Sequence, residues 1–447
     1  MNLWFETALL EHGWADRVRL CVADGRIASV DIGVAPDAGD EIHFAALPGI
    51  PNLHSHAFQR AMAGLTEMRG AASDDFWSWR DLMYRFVARI GPDECEAIAT
   101  LAFAEMLEVG FTRVGEFHYL HHAPDGSRYD DPAEMSGRIV AAAEMAGIGL
   151  TLLPVFYAHG GFGGQAPGAA QARFVHDVDG FADLVGRAAA LLPSDGVIGI
   201  APHSLRAVTL DELRALMPVA PGGPIHIHIA EQVQEVEACV AWSGRRPVHW
   251  LFDHLPVDAR WTLVHATHVD RNEIADVASA GAVVGLCPVT EANLGDGLFP
   301  AAPFLDAGGV FGIGSDSNVR IDAAEELRLL EYGQRLTARA RNVLAAETRC
   351  STGARLYGDA VAGGGRALGI PTGLAVGRPA DLVSLNRDDP VFAARGGDAL
   401  LDSLIFAGRR TIDCVWRAGT KQVERGRHRH RDAIEARYRA ALERLIA

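Results

Sequence analysis

Eight short apolar segments, separated by stretches with helical periodicity, constrain the fold of this chain more than any other feature of its sequence. Apolar runs of this length between helices are typical of parallel strands that are buried on both faces. Eight such units predict an α/β fold with a closed (β/α)8 barrel of the TIM type. The predicted strands are residues 46–52, 111–117, 148–157, 197–203, 224–229, 261–265, 282–287 and 310–314.

Both ends of the chain have the pattern of short β-strands joined by turns. Their strand candidates are residues 18–22, 26–30, 380–385 and 412–416. We expect the two ends to pair into one small β-sandwich-like domain, followed by a terminal helix that begins near Asp432. The sequence therefore predicts residues 1–45 and 371–447 for the small domain and residues 46–370 for the barrel.

The composition argues against several classes of protein. The formal net charge is −16 and no basic stripe stands out, which argues against nucleic-acid binding. No apolar run reaches the ~18 residues of a membrane span, and the first residues lack the pattern of a secretory signal. The six cysteines are scattered without a CxxC pair, as is typical of reduced thiols. We therefore expect a cytoplasmic enzyme with a small-molecule substrate and no nucleic-acid or membrane partner.

Residue types that bind metals recur where the predicted barrel strands end. His54 and His56 are separated by one residue, so both imidazoles point the same way in an extended chain. His228 lies at the end of the fifth strand, His265 ends the sixth, and Asp316 follows the eighth. Because a barrel brings its strand ends into one ring, these side chains are predicted to converge. Each residue alone is a weak signal, but the ordered set predicts a metal site.

The same ordered set resembles the amidohydrolase superfamily, and the resemblance covers nearly the whole chain. Residues 47–56 resemble the first-strand signature of that superfamily, and residues 377–383 resemble its returning β-domain strand. No lysine follows the fourth strand, where binuclear members place one, and Glu231 lies three residues after His228. Both features are similar to those of the mononuclear deaminase branch.

The resemblance implies a role for each matching residue. His265 would hydrogen-bond the attacking water, Asp316 would accept its proton, and Glu231 would carry a proton to the departing nitrogen. One divalent metal ion is implied, with zinc as the first choice, although iron or another divalent ion could occupy the same ligands. The implied metal ligands are His54, His56, His228 and Asp316.

Longer motifs resemble those of formiminoglutamate deiminases in particular; they are residues 54–61, 75–80, 115–119, 156–167 and 202–208. This resemblance implies a step of histidine degradation in which N-formimino-L-glutamate and water give N-formyl-L-glutamate and ammonia. It also implies a pocket for the glutamate portion, where guanidinium groups match the geometry of the two carboxylates. The implied pocket residues are Gln59, Arg80, Tyr119, His203 and Arg206.

Two other functions remain open at this point. A deaminase of the same branch could act on a purine, a pterin or another ring, in a pocket that favours stacking aromatic residues and amide groups. A barrel without metal could serve as a scaffold or binding protein, but every predicted ligand position is filled. The family resemblance suggests a homodimer. The glycine-rich stretch 158–174 is compatible with a mobile lid and with an ordinary loop.

Overall fold

A computed structural model describes residues 1–68, 76–409 and 411–446 of the chain. Its strands belong either to a central barrel or to a sheet made from both chain ends. The strands are β1 (Asn2–Leu10), β2 (Gly13–Ala23), β3 (Arg26–Asp31), β4 (Glu41–Pro48), β5 (Ile50–Ser55), β6 (Phe111–His118), β7 (Gly149–Phe156), β8 (Val197–Ile198), β9 (Ala201–Pro202), β10 (Ile225–Ile229), β11 (Trp261–His265), β12 (Val283–Leu286), β13 (Val310–Ile313), β14 (Leu382–Leu385), β15 (Ile412–Arg417), β16 (Thr420–Glu424) and β17 (Arg427–His428).

Strands β5 to β13 form the barrel, and all their pairings are parallel. Strands β5 to β8 lie side by side, β9 also pairs with β7, and β10 to β13 continue the circle. Isolated bridges close the two gaps, since Ile200 pairs with Ile225 and Ser55 pairs with Asp316. The predicted (β/α)8 barrel is thereby confirmed, and its closing bridge brings the first strand beside the segment after the last.

Two predicted strands were wrong in their bounds. The first divides at Gly49, so residues up to Pro48 belong to β4 and the barrel strand begins at Ile50. A Cβ at Gly49 would overlap the side chain of Thr112, so the close approach of the chain there favours glycine. The fourth strand is broken into the short strands β8 and β9. Apolar composition marks a buried segment but does not show where a strand is interrupted or passes into another sheet.

The two chain ends build one sheet, as predicted. Within the described residues its strand order is β17-β16-β15-β14-β4-β1-β2-β3, and β14 pairs antiparallel with β4, which places Leu382 opposite Pro48. Strand β4 belongs to this sheet although it runs past residue 45; the domain bounds at residues 45 and 370 stay predictions. The hydrophobic core of this sheet includes buried residues from both ends of the chain, such as Leu3, Phe5, Leu20, Leu382 and Trp416.

Helices cover the outside of the barrel. They are α1 (Phe76–Val87), α2 (Pro92–Glu108), α3 (Glu134–Ala146), α4 (Val178–Leu191), α5 (Leu210–Leu216), α6 (Val233–Ser243), α7 (Pro247–His254), α8 (Arg271–Ala280), α9 (Pro288–Leu294), α10 (Ala301–Asp306), α11 (Ala323–Ala338), α12 (Thr352–Ala367), α13 (Asp398–Phe406) and α14 (Arg431–Ile446). The chain begins several of them with a capping side chain; Thr209, for example, accepts the amide hydrogen of Glu212 at the start of α5. Among the described helices, none has the length and apolar character needed to cross a membrane.

Helix α12 lies unusually close to strand β13, and this contact is testable. A Cβ at Gly363 would overlap the carbonyl oxygen of Phe311, and backbone atoms cannot move aside as a side chain can. We expect Gly363→Ala to lower the free energy of unfolding by about 1–3 kcal/mol, the usual cost of overpacking. Thermal and denaturant unfolding would measure the loss.

The matched control is Gly186→Ala in helix α4. A Cβ there meets no atom within 4 Å, and alanine in a helix interior is favoured over glycine by about 0.5–1 kcal/mol. The control is expected to be at least as stable as the parent. Equal unfolding curves for both variants would contradict the tight contact between α12 and β13.

Candidate active site

Three imidazoles and one carboxylate meet at the ends of β5, β10 and β13. His54 Nε2 lies 3.0 Å from His228 Nε2 and 3.5 Å from Asp316 Oδ1. His56 Nε2 lies 3.3 Å from the same Asp316 oxygen. The closing bridge of the barrel fixes this arrangement, because the amide of Asp316 donates to His54 O and the amide of His56 donates to Asp316 O. The residues predicted as metal ligands are thus brought together.

Backbone carbonyls set the tautomers of two of these imidazoles. His56 Nδ1 lies 2.9 Å from Phe117 O, and His228 Nδ1 lies 3.2 Å from His203 O. Because a carbonyl oxygen can only accept, both Nδ1 atoms carry the hydrogen and both Nε2 atoms turn a lone pair towards the cluster. The Nε2 atom of His54 can carry at most one hydrogen, and it can donate that hydrogen either to an Nε2 lone pair or to the carboxylate of Asp316. The lone pairs outnumber the protons, so the cluster fits a bound cation.

Burial keeps the imidazoles neutral. It lowers the pKa of His54 to about 3, and it also lowers the pKa values of His56 and His228. A metal ligand must be the neutral form of histidine, so this environment favours coordination. Phe117 packs against the group, with its ring centroid 4.3 Å from that of His228. Position, tautomer and charge state all suit these side chains to holding a divalent ion.

Several strand ends here have strained backbone. Ala230, His265 and Asp316 all have positive φ angles, of 53°, 67° and 46°. Residues with a Cβ rarely adopt this left-handed conformation, and they tend to do so at functional sites. The strain turns the chain sharply after β10 and β11 and beyond β13, where the site lies.

His265 and Glu231 lie beside the ligand cluster. His265 Nε2 is 3.7 Å from Glu231 Oε1 and 3.8 Å from Asp316 Oδ2. Burial raises the pKa of the Glu231 carboxyl, and the charges of His265 and Arg206 oppose that rise. Burial alone would lower the pKa of His265, but the surrounding carboxylates, that of Glu231 first, raise it. Two ionisable groups with strongly shifted pKa values therefore lie beside the ligand cluster.

A cavity of about 170 Å³ opens in front of these groups. All the residues predicted for the glutamate pocket line it: Gln59, Arg80, Tyr119, His203 and Arg206. Gln59 Nε2 donates to the Tyr119 hydroxyl at 2.9 Å, which orients both side chains. Burial and the charge of Arg206 lower the pKa of His203, so this imidazole is neutral. The predicted pocket residues therefore share one small cavity with Glu231, His265 and Asp316.

The two arginines reach the cavity from different parts of the fold. Arg206 follows β9, and Arg80 lies on α1, with its guanidinium carbon 5.5 Å from the ring centroid of Tyr84. Asp75, the first residue of one motif that carries the family resemblance, lies outside the described residues.

His226 lies two residues before His228 on β10 and stays outside the ligand cluster. Its Nε2 donates to the carbonyl oxygen of Ala367 at 2.8 Å, and the side chain is fully buried. On β10, therefore, the imidazole of His228 faces the other ligand residues and that of His226 does not.

Sequence reasoning missed several residues of this site. Glu291, on α9, places Oε1 3.3 Å from His265 Nδ1. Glu116, buried in β6, accepts the amide hydrogen of Ala57 at 2.7 Å and so fixes the chain directly after His56. Aromatic side chains complete the wall of the cavity; they are Trp79, Tyr84, Tyr157 and Phe174. A carboxyl residue within a turn of a strand end was the available signal for Glu291.

The glycine-rich stretch after β7 borders the cavity through Gly160. Phe162 stacks on Trp242 of α6 with ring centroids 5.4 Å apart, and His159 pairs with Glu212 of α5 at 2.9 Å. These contacts hold the stretch against two helices on the same side of the barrel.

A second cavity, of about 980 Å³, lies between the terminal sheet and the barrel helices. It is larger than the first, yet none of the residues predicted for catalysis, metal or substrate lines it. Size alone therefore does not mark the functional site, which is identified by its chemistry.

Comparisons with known proteins show which families this chain resembles. The sequence profile described as "Amidohydrolase family" matches residues 45–421. A second profile, described as "Formimidoylglutamate deiminase HutF, N-terminal domain", matches residues 3–44. (Formimidoyl and formimino are two names for one group.)

Among curated proteins, a formimidoylglutamate deiminase of Pseudomonas aeruginosa is 52% identical over 431 residues, which cover 95% of each chain. An 8-oxoguanine deaminase of the same organism is 28% identical and covers 96% of this chain and 95% of its own. A 5-methylthioadenosine/S-adenosylhomocysteine deaminase of Natronomonas pharaonis is 30% identical and covers 79% of this chain and 78% of its own.

Among solved structures, an amidohydrolase from Brucella melitensis superposes with a TM-score of 0.97 at 53% identity, covering 100% of both chains. An adenosine deaminase from Xanthomonas campestris, solved with bound zinc, has a TM-score of 0.79 at 23% identity and covers 100% of this chain and 98% of its own. The second likeness concerns the fold alone.

Proposed function

The chain belongs to the amidohydrolase family, and from that premise we propose that it is a formimidoylglutamate deiminase. It hydrolyses the carbon–nitrogen bond of an amidine: N-formimino-L-glutamate and water give N-formyl-L-glutamate and ammonia. The similarity to the Pseudomonas aeruginosa formimidoylglutamate deiminase along nearly the whole chain supports this substrate, as does the match at residues 3–44. The reaction belongs to histidine degradation.

One observation carries the choice of substrate. Arg80 and Arg206 line the same small cavity as Glu231 and His265. A guanidinium fork matches the two oxygens of a carboxylate, and two forks match the two carboxylates of the glutamate portion. A purine or pterin has no carboxylate to occupy them, although the aromatic side chains of the wall could pack against a ring. The paired arginines therefore favour a dicarboxylate over a ring substrate.

The site residues divide the chemistry between them. When bound, a divalent cation activates water as a Lewis acid and lowers its pKa to ~7. His54, His56, His228 and Asp316 would hold that cation. Asp316 also takes up the proton released by the attacking water, since its second oxygen Oδ2 faces His265.

Glu231 and His265 serve the reacting carbon and its nitrogen. His265 Nε2 orients the attacking water towards the formimino carbon. Glu231 Oε1, which faces His265 Nε2, gives one proton to the imine nitrogen as water adds, and it is reprotonated by the proton that Asp316 took from that water. Asp316 then takes the hydroxyl proton of the addition product while Glu231 gives a second proton to the nitrogen, which leaves as ammonia as the carbon–nitrogen bond breaks. The proton left on Asp316 returns to Glu231, so both carboxyl groups end as they began. Gln59, Tyr119 and His203 add hydrogen bonds around the glutamate portion.

We also propose that the metal is a single zinc ion, since three neutral imidazoles and one carboxylate are ligands that zinc prefers. The proposal includes a homodimer, on the strength of the family resemblance, and a cytoplasmic location. The six cysteines are free thiols, which suits a reducing compartment.

The pocket is tested by replacing Arg206. We expect Arg206→Met to keep its metal and fold but to lose kcat/KM on N-formimino-L-glutamate. Truncating one partner of a charge-assisted pair costs ~2–5 kcal/mol, which is roughly 30- to 5,000-fold in kcat/KM. Arg206→Lys should recover part of the loss, since an ammonium keeps the charge but lacks the planar fork.

The prediction is decided by measuring the same variants on a second substrate, a neutral formamidine without carboxylates. Arg206→Met should leave kcat/KM on that compound nearly unchanged. The matched control is Arg214→Met on the exposed side of α5, which should match the parent on both compounds. Equal losses on both compounds in Arg206→Met would make Arg206 structural and withdraw it from the pocket.

A further inference from the structure

We propose that Glu291 is a positioning residue for the reaction: it holds the imidazole of His265 in the one tautomer and orientation that direct Nε2 at the reacting atoms. The proposal rests on the proposed function for its kinetic part. Its structural part concerns a contact that exists without substrate.

Glu291 reaches His265 from the helix after the next strand. Helix α9 starts at Pro288, directly after β12, and places Glu291 in its first turn. The carboxyl group is buried, with the residue 5% exposed. Its Oε1 lies 3.3 Å from His265 Nδ1 and also accepts the amide hydrogen of Cys287 at 2.9 Å. One oxygen thus links the end of β12 to the imidazole at the end of β11.

The contact with Glu291 decides which nitrogen of His265 carries the hydrogen. An ionised carboxylate can only accept, so His265 Nδ1 is the donor. Nε2 is then the ring nitrogen that faces Glu231 and Asp316, at 3.7 Å and 3.8 Å. In the other tautomer Nδ1 would carry no hydrogen and would turn its lone pair towards the lone pairs of the Glu291 carboxylate. A carboxylate behind a catalytic histidine has this orienting effect in other enzymes.

His265 lies at a left-handed turn of the backbone, and its imidazole has one hydrogen-bonded support at Nδ1 among the described residues. Its φ of 67° turns the chain at the residue itself, and the next amide, that of Ala266, donates to Ile229 O. Among the described residues, Glu291 is the hydrogen-bond partner found for His265 Nδ1. Without it, the buried Nδ1 would lose its hydrogen-bond partner, and the reactive orientation would be populated for less of the time.

Glu291 also has a structural role, and the chain offers a control for it. Glu326 is a second buried carboxyl group that supports the start of α9: its Oε2 accepts the amide hydrogen of Val289 at 2.9 Å. No contact between Glu326 and His265 is recorded within the described residues. Removing Glu326 therefore disturbs the same helix end without touching the imidazole.

The experiment compares Glu291→Leu, Glu291→Gln and Glu326→Leu as metal-loaded enzymes. We expect Glu291→Leu to lower kcat on N-formimino-L-glutamate by ~10- to 100-fold, as is typical for a lost outer partner of a site. KM should change by less than about twofold, since Glu291 does not line the cavity. Glu291→Gln keeps an accepting Oε1 for both donors and should recover most of kcat. Glu326→Leu should keep the kcat of the parent.

A proton NMR measurement on the substrate-free enzyme tests the contact itself. The hydrogen on His265 Nδ1 should give a downfield signal that is absent in His265→Gln and Glu291→Leu and present in Glu326→Leu. A signal that persists in Glu291→Leu, or equal loss of kcat in Glu291→Leu and Glu326→Leu, would overturn the proposal. If the parent enzyme did not turn over N-formimino-L-glutamate, the proposed function would fail, and the NMR result would still decide the role of Glu291.

Discussion

His228→Gln is expected to lose most of its bound metal and nearly all of its turnover. His228 turns the lone pair of Nε2 towards His54 and Asp316, and a glutamine amide is not among the side chains that zinc favours. Changing a residue that merely supports a ligand typically costs ~10- to 100-fold in metal affinity or activity. The loss of a ligand should therefore exceed 100-fold. Metal analysis of the purified variant, together with ammonia release at saturating substrate, measures both effects.

The control for this prediction is His226→Gln, two residues earlier on the same strand. His226 is also buried but donates to the carbonyl oxygen of Ala367, and a glutamine amide can still donate there. This variant should keep a full complement of metal. Asp316→Ala should behave as His228→Gln does. Full metal occupancy and parental rates in His228→Gln would remove this residue from the ligand set.

Glu231→Gln should keep its metal and lose ~100- to 10,000-fold in kcat, the usual size of a general acid–base contribution. The amide has nearly the shape of the carboxyl group but cannot take up a proton from water and return it to the amidine nitrogen. Burial already raises the pKa of Glu231, so the parent carboxyl is poised to carry a proton near neutral pH. Stopped assays of ammonia, with metal content measured in parallel, give the comparison.

Glu237→Gln is the control for the loss of one negative charge, since Glu237 lies exposed on the neighbouring helix α6. That variant should match the parent. If Glu231→Gln turned over at close to the parental rate, another group would have to move the proton. If it lost its metal instead, Glu231 would support the ligand cluster rather than the chemistry.

The sequence allowed prediction of the parts of the site that repeat with the strands. His54 and His56 point the same way because they are two residues apart at a strand end. The barrel then brings His228 and Asp316 to the same ring, and the structure places Nε2 of His54 at 3.0 Å from His228 and 3.5 Å from the Asp316 carboxylate. Strand periodicity and barrel closure together carry this information.

Other parts of the site do not follow from strand periodicity. Arg80 lies on α1, outside the barrel strands, so family resemblance and not spacing brought it into the pocket. Glu291 was missed because its contact with His265 spans 26 residues and depends on how α9 leaves β12. The break at Gly49 was missed because the residues on both sides are apolar, although they belong to different sheets.

The central claim is that this site deaminates a dicarboxylate amidine, and ammonia release tests it most directly. The metal-loaded enzyme is assayed with N-formimino-L-glutamate beside a purine, a purine nucleoside and a pterin, each for kcat/KM. Sites built from polar groups that match their substrate reject compounds lacking the partner by ~10,000-fold or more. We expect N-formimino-L-glutamate to be preferred by at least about 1,000-fold, with N-formyl-L-glutamate and ammonia formed in equal amounts. A ring compound deaminated as efficiently as N-formimino-L-glutamate, or more so, would contradict the account.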